Sequence, residues 1–178
     1  MSKLQRLRDN IAVLEHALTA DKCDNDILNK YTGFGGLGFV LNPLDTGAWA
    51  ASDLDCFCDT MRLHNLLRDN SKDEHEFKAW MQSLKASTLT AFYTPHLFVF
   101  NMMMAIADKT IYSGKMSNQA FNKVLDPAAG QGVFMSCAHY HLNHETNPAD
   151  FKVVAYENDL LTGLLLSRNY PRKELVHD

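Results

Sequence analysis

The chain has 178 residues, with 17 Lys and Arg against 21 Asp and Glu, a formal net charge of −4. That length suffices for one α/β unit with a helical attachment. The charge balance, with no basic stripe, makes this segment alone a poor partner for duplex DNA, whose phosphates call for clustered Lys and Arg. Cys23, Cys56, Cys58 and Cys137 show neither C-x-x-C spacing nor paired histidines, so reduced thiols are expected rather than zinc ligands or any other metal site. No apolar run approaches the ~20 residues needed to span a bilayer, and no signal-type apolar core follows Met1, so a soluble, cytoplasmic protein with no membrane partner is expected.

In chain order, Leu4, Leu7, Ile11, Leu14 and Leu18 recur at spacings of three and four, which predicts an amphipathic helix over about residues 3–19. Asp24, Asn25 or Asp26 then caps a shorter helix running to Tyr31. Gly33-Phe34-Gly35-Gly36-Leu37-Gly38 formally satisfies the dinucleotide pattern G-x-G-x-x-G. It follows a helical pattern instead of a strand and has no βαβ continuation, so it reads as a tight or flexible turn, or as a segment lying over a pocket. Leu54, Phe57 and Met61 suggest a helix over 53–69, and Phe77, Trp80, Met81 and Leu84 another over 72–84, with Trp80 a packing residue. Residues 1–88 therefore form a helical N-terminal region.

Ser87 to Thr90 leads into Ala91-Phe92-Tyr93-Thr94-Pro95. Thr94 as cap and Pro95 in the first turn make a sound start for a helix over 97–107, and Met102, Met103 and Met104 read as core filler. Residues 113–121 form a polar connection. Val124 and Leu125 begin a short strand that closes on Asp126, turns through Pro127 to Gly132, and becomes helical over 133–142. Such a turn presents backbone N–H groups and the positive end of a helix dipole at the carboxyl edge of a parallel sheet. Gly130 and Gly132 permit positive φ or the close approach of a ligand. After a loop over 143–150, residues 151–157 read as a second strand ending in Glu157, 25 residues beyond Gly132. Asn158 and Asp159 then open a helix over 160–169 whose apolar face includes Leu161, Leu164 and Leu165. Two acids and a glycine turn make a nucleoside pocket, and the missing third glycine favours a nucleoside without phosphates.

Asp126-Pro127-Ala128-Ala129-Gly130-Gln131-Gly132 resembles the S-adenosylmethionine-binding motif of adenine-specific N6 DNA methyltransferases, D/E-P-x-x-G-x-G. Phe92-Tyr93-Thr94-Pro95 resembles the Phe-x-Thr-Pro element that precedes it in those enzymes, and Tyr156-Glu157-Asn158-Asp159 their second-strand acid. The resemblance covers residues 85–171. A Tyr-x-Gly-aromatic-Gly-Gly segment like the one beginning at Tyr31 also stands upstream of the methylase core in large mobile-element proteins. The resemblance implies an α/β fold, with residues 89–178 forming a partial Rossmann-like methyltransferase unit that binds S-adenosylmethionine. Asp126, Pro127, Ala128, Gly130 and Gly132 would then hold the methionine and sugar. Glu157, with Asn158 beside it, would hold the ribose hydroxyls, and Phe92, Tyr93, Thr94 and Pro95 the amino-acid end. Leu160 stacks on the adenine or packs in the core.

Methylation of an exocyclic adenine amine in this family uses an Asn/Asp-Pro-Pro-aromatic motif. The two Asn-Pro pairs, Asn42-Pro43-Leu44 and Asn147-Pro148-Ala149, lack the second proline and the aromatic, so no catalytic residue is assigned. The expectation is a cofactor-binding portion of a DNA methyltransferase of restriction or mobile-element type, either an N-terminal piece or a remnant, with little turnover alone. DNA would be engaged through a missing or partner segment, and an open sheet edge predicts an oligomer or an association-prone surface. The alternatives are a non-catalytic methylase-derived interaction or regulatory module, whose hallmark would be loss of the two acids, and a methyltransferase acting on a protein or small molecule.

Overall fold

The computed structural model describes residues 1–45, 49–90, 93–112, 123–142 and 152–170, with the side chains of Ser52, Thr90, Leu142 and residues 107–112 outside that description. The described residues are mostly helical with a small parallel sheet of two strands, an α/β arrangement. Its contacts divide it into two compact units, Met1–Phe92 with Asp159–Arg168, and Tyr93–Asn158 with Asn169–Asp178.

In the first unit, α1 (Lys3–Thr19) occupies the span its leucine periodicity predicts, and the Ser2 hydroxyl caps it by accepting the Gln5 N–H at 3.1 Å. Leu7, Ile11, Leu14 and Ala17 are fully buried, while Leu4 and Leu18 at its ends are half-buried. Asp24 caps α2 (Asn25–Leu28) through the Asp26 N–H at 2.8 Å, and the helix stops three residues short of Tyr31. The turn from Tyr31 to Gly38 enters the core of this unit, with Phe34 and Leu37 fully buried. Gly33 and Gly36 take φ of 69° and 74°. The Gly33 carbonyl accepts from the Asn10 side chain at 2.7 Å and the Gly35 carbonyl from Arg6 at 3.0 Å, while the Gly36 N–H donates to the Thr88 carbonyl at 3.1 Å. The turn is thus clamped by α1 and by the helix that carries Thr88.

The helix expected from Asp53 is two pieces, a 3-10 segment over Ala51–Cys56 and α3 (Phe57–Asp69). The tighter winding coincides with Asp53 turning inward to Lys3, at 2.8 Å. The buried face of α3 is Thr60, Leu63 and Leu67, so the stripe read through Leu54, Phe57 and Met61 is displaced, and Leu54 and Phe57 are exposed. α4 (Glu74–Thr90) runs one and a half turns past the expected stop at Leu84. Its last turn is buried at Ser87 and Thr88, and the Thr88 hydroxyl bonds back to the Lys85 carbonyl at 2.8 Å, which lets polar residues continue the helix. Phe77 and Leu84 face inward and Trp80 is half-buried. The last helix, α7 (Leu160–Asn169), is counted with this unit through Arg168 and buries Leu161, Thr162, Leu165 and Leu166. Asp159 caps it, accepting the Leu161 N–H and the Thr162 hydroxyl, each at 3.0 Å, and the Ser83 hydroxyl of α4 donates to the same carboxylate.

The second unit holds α5 (His96–Tyr112), β1 (Lys123–Asp126), α6 (Val133–Leu142) and β2 (Lys152–Ala155). β1 and β2 pair in parallel, with Lys123, Val124, Leu125 and Asp126 opposite Lys152, Val153, Val154 and Ala155. α5 packs on α6. Its first intrahelical bonds run to the Pro95 carbonyl, from the N–H groups of Phe98 and Val99, so Pro95 and not Thr94 stands at the cap position. Of the three consecutive methionines only Met103 is buried, whereas Met102 and Met104 face outward along with Leu97 and Phe98. Val99, Met135, Cys137, Ala138, Val153 and Ala155 supply the core. The expected connections over 113–121 and 143–150 lie outside the described residues, as does Phe151. Among the described residues no helix is long and apolar enough to cross a membrane.

Candidate functional site

The end of β1 and the turn after it bring the candidate residues together. Beyond the strands the parallel ladder continues by two bonds, the Tyr156 N–H to the Asp126 carbonyl and the Ala129 N–H to the Tyr156 carbonyl, both at 2.9 Å. They fix the polypeptide after β2 alongside the turn and bring Glu157 to Gly130. The Asp126 carboxylate folds back over its own turn, accepting the Ala128 N–H through Oδ1 at 3.2 Å. Gly130 and Gly132 take φ of 55° and 86°, left-handed values that a residue with a Cβ adopts only under strain. The Gly132 N–H closes the turn on the Ala129 carbonyl at 2.8 Å, and the Gly132 carbonyl opens α6 by accepting the Ser136 N–H at 2.9 Å.

Three side chains seal this turn. A Cβ on Gly130 would lie 3.2 Å from Cδ1 of Tyr93, so the bare Cα of this glycine accommodates the protein's own ring. The Gly130 N–H donates to Oε2 of Glu157 at 2.8 Å. The Tyr170 hydroxyl donates to the Gly132 carbonyl at 3.2 Å. The sequence leads one to expect unpaired amides here, yet the N–H groups of Ala128, Ala129, Gly130 and Gly132 are all bonded within the chain. No spacing singles out Tyr170, which follows the last helical residue; its role depends on where α7 leaves it.

Asp126 is the electrostatic centre of the arrangement. It is 8% exposed, and its Oδ2 is buried without a hydrogen-bond partner. Burial pushes its carboxyl above the usual aspartate range, and the Ala128 N–H opposes that rise only in part. A buried acceptor with nothing to accept from is costly, about 1–3 kcal/mol, and calls for a donor. The polar groups gathered at the turn are two carboxylates, main chain and tyrosine hydroxyl, a set suited to hydroxyls or a cation and ill suited to a phosphate.

Tyr93, Asp126, Ala128, Gly130, Gly132 and Glu157 are therefore assembled around one turn. Pro127 and Asn158 sit within the same stretch, with Pro127 and Asn158 exposed. Thr94 and Pro95 are exposed at the start of α5. Phe92 lies outside the described residues, and Leu160, at the head of α7, belongs to the first unit and is 48% exposed. Outside the turn, the buried Cys137 thiol meets Nε2 of His96 at 3.7 Å, and burial keeps that thiol above the ordinary cysteine range and therefore protonated. All four cysteines are free, and among the described residues no group of three or more His, Cys, Asp or Glu is placed to hold a metal ion. In comparisons with protein-family models, with curated proteins and with solved structures, nothing matches this chain.

Proposed function

We propose that this chain is the S-adenosylmethionine-binding portion of a DNA adenine N6 methyltransferase, of the restriction or mobile-element type. The observation that carries the reading is Asp126, a nine-tenths buried carboxylate with an unpartnered Oδ2 at the head of a glycine turn whose Gly130 N–H is bonded to a second acid, Glu157. The two acids are the ones the motif resemblance assigns to the cofactor, and an orphaned buried acceptor fits a ligand that brings hydrogen-bond donors or positive charge. Asp126, Pro127, Ala128, Gly130 and Gly132 would hold the methionine and sugar. Glu157 and Asn158 would hold the ribose hydroxyls, and Tyr93 to Pro95 the amino-acid end. S-adenosylmethionine supplies a methyl group already activated on a sulfonium, so what these residues contribute is alignment and exclusion of water. The sequence contains no Asn/Asp-Pro-Pro-aromatic motif, so target adenine and DNA would be engaged by another segment or a partner chain.

The test is calorimetric titration of the chain with S-adenosylmethionine and S-adenosylhomocysteine, beside D126A and E157A. Micromolar binding that both substitutions abolish is the expected result, and absence of binding to the folded chain at millimolar ligand refutes the reading. The Glu157–Gly130 bond favours one competing reading, a non-catalytic methylase-derived module in which the acids only brace the turn. That reading predicts no cofactor binding and a loss of stability in E157A.

A further inference from the structure

α5 carries more apolar surface than its packing on α6 uses. Val99 and Met103 are buried, and the Phe100 ring meets the rings of Tyr140 and His141 on α6 at centroid distances of 5.8 and 4.4 Å. The side chains at positions 97, 98, 101, 102 and 104–106 are exposed. At about 100° per residue these positions form one continuous arc of about 200°. Asn101 is the only polar residue on that arc, and no Asp, Glu, Lys or Arg lies within it. Leu97 is 71% and Phe98 60% exposed, so the largest apolar groups of the first turn stand in water. A helix that is apolar on all sides is ordinarily enclosed, and a contiguous apolar face of this breadth marks an interaction surface.

We propose that this face of α5 docks a second copy of the chain, helix against helix and antiparallel about a two-fold axis at Asn101. The surface is distinct from the sheet edge, and the proposal does not depend on the cofactor reading. A two-fold contact sets a patch against itself, so any charge on it meets its own image; this arc has none. Antiparallel pairing about Asn101 puts Phe98 against Ala105, large against small, and opposes the two helix dipoles. Parallel pairing would set Phe98 on Phe98 and Ala105 on Ala105. Asn101 suits the axis because it is self-complementary. Its Nδ2 donates to the Leu97 carbonyl at 2.8 Å, and the carboxamide carries a further N–H and an acceptor oxygen with which to meet its counterpart and fix the register. With Tyr140, 62% exposed beside Phe100, the exposed large side chains offer roughly 600 Å² per copy, taking each whole side chain as roughly 200 Å². A pair then covers on the order of 1,200 Å², the lower bound of specific interfaces, which corresponds to a reversible dimer with a Kd of about 10–100 µM.

The experiment is sedimentation equilibrium of the full chain across a concentration range that brackets that Kd by about tenfold on each side, for wild type, F98E, N101D and L44K. Wild type should fit a monomer–dimer equilibrium with no larger species, because a two-fold contact closes on itself. F98E buries a carboxylate against an uncharged apolar face, and N101D sets two carboxylates opposite each other on the axis; each should weaken the dimer at least tenfold. Both positions are exposed, circular dichroism checks that the helices remain, and N101D carries the test if F98E fails to fold. L44K removes an apolar side chain that is 80% exposed in the other unit and should leave the equilibrium unchanged. A wild-type chain that stays monomeric throughout would assign the face to a foreign partner or a further segment and overturn the proposal. Open-ended association, or a dimer that L44K disrupts while F98E and N101D do not, would overturn it as well.

Discussion

Replacing Gly130 with alanine tests the conformation on which the whole site depends. At φ +55°, a residue with a Cβ costs about 1–2 kcal/mol relative to glycine. The new methyl carbon would also stand 3.2 Å from Cδ1 of Tyr93, so the ring has to yield by a few tenths of an ångström, adding up to about 1 kcal/mol. A combined loss of about 2 kcal/mol would raise the frequency of local opening about thirtyfold. The reporter is the Tyr156 amide, which is bonded to the Asp126 carbonyl at 2.9 Å and locks the turn to the sheet. Its hydrogen exchange, measured by NMR under conditions where opening is in rapid equilibrium, should accelerate by that factor in G130A. G130N carries the same Cβ but tolerates the left-handed region better, so it should accelerate less, and the difference isolates the backbone share. Exchange within threefold of wild type in G130A would refute the left-handed turn packed against Tyr93.

Three further outcomes are expected. Because burial holds the Asp126 carboxyl above its unfolded range, the folded chain keeps that proton more tightly than the unfolded chain. Its contribution to stability is full below the ordinary aspartate range and is lost as pH rises through the raised folded value. Urea denaturation at a series of pH values should show wild type losing stability relative to D126N across that window, and parallel curves would sink the assignment. N10A should lose about 1–3 kcal/mol in the same assay, since Asn10 bonds both the Gly33 carbonyl and the Thr32 N–H from a fully buried position; a loss under about 0.5 kcal/mol would mean that the turn does not depend on α1. D159A should uncap α7 and cost about 1–2 kcal/mol, with D159N restoring most of it; equal melting temperatures for all three proteins would contradict the cap.

The helices most legible in the sequence were those whose apolar spacing and end signals agree. The spans of α1, α6 and α7 coincide with the expected ones, the first marked by leucines, the second by the glycine turn before it, the third by Asn158 and Asp159. α3 was harder because its inward face begins with a polar residue, Thr60, which a search for apolar residues passes over in favour of Leu54 and Phe57. α4 outran its expected end because Ser87 and Thr88 are buried and the Thr88 carbonyl accepts the distant Gly36 N–H, information that no local window holds. At the site, the left-handed glycines were legible from turn chemistry, since few other residues serve there. Which groups occupy the amides was not. Glu157 reaches Gly130 across 27 residues and Tyr170 reaches Gly132 across 38, and such pairings are set by the packing of the sheet and helices. The same holds for the formal dinucleotide pattern from Gly33 to Gly38, whose carbonyls are taken up by Arg6 and Asn10.

The placement of α7 with the first unit has a consequence for how the chain is made. Ser83 and the Asp159 carboxylate it bonds are 76 residues apart, and everything between Tyr93 and Asn158 belongs to the second unit. A ribosome adding 5–20 residues per second needs about 4–15 s to traverse that interval. Throughout it, the amino-terminal helices have emerged while the strip of leucines that completes their packing has not been synthesised. The first unit is therefore not a domain that finishes folding before the next begins, and the nascent chain carries an uncovered apolar face during synthesis. Fragments ending near residue 92 should inherit that exposure permanently, and a useful excision would carry residues 159–168 grafted behind a short linker.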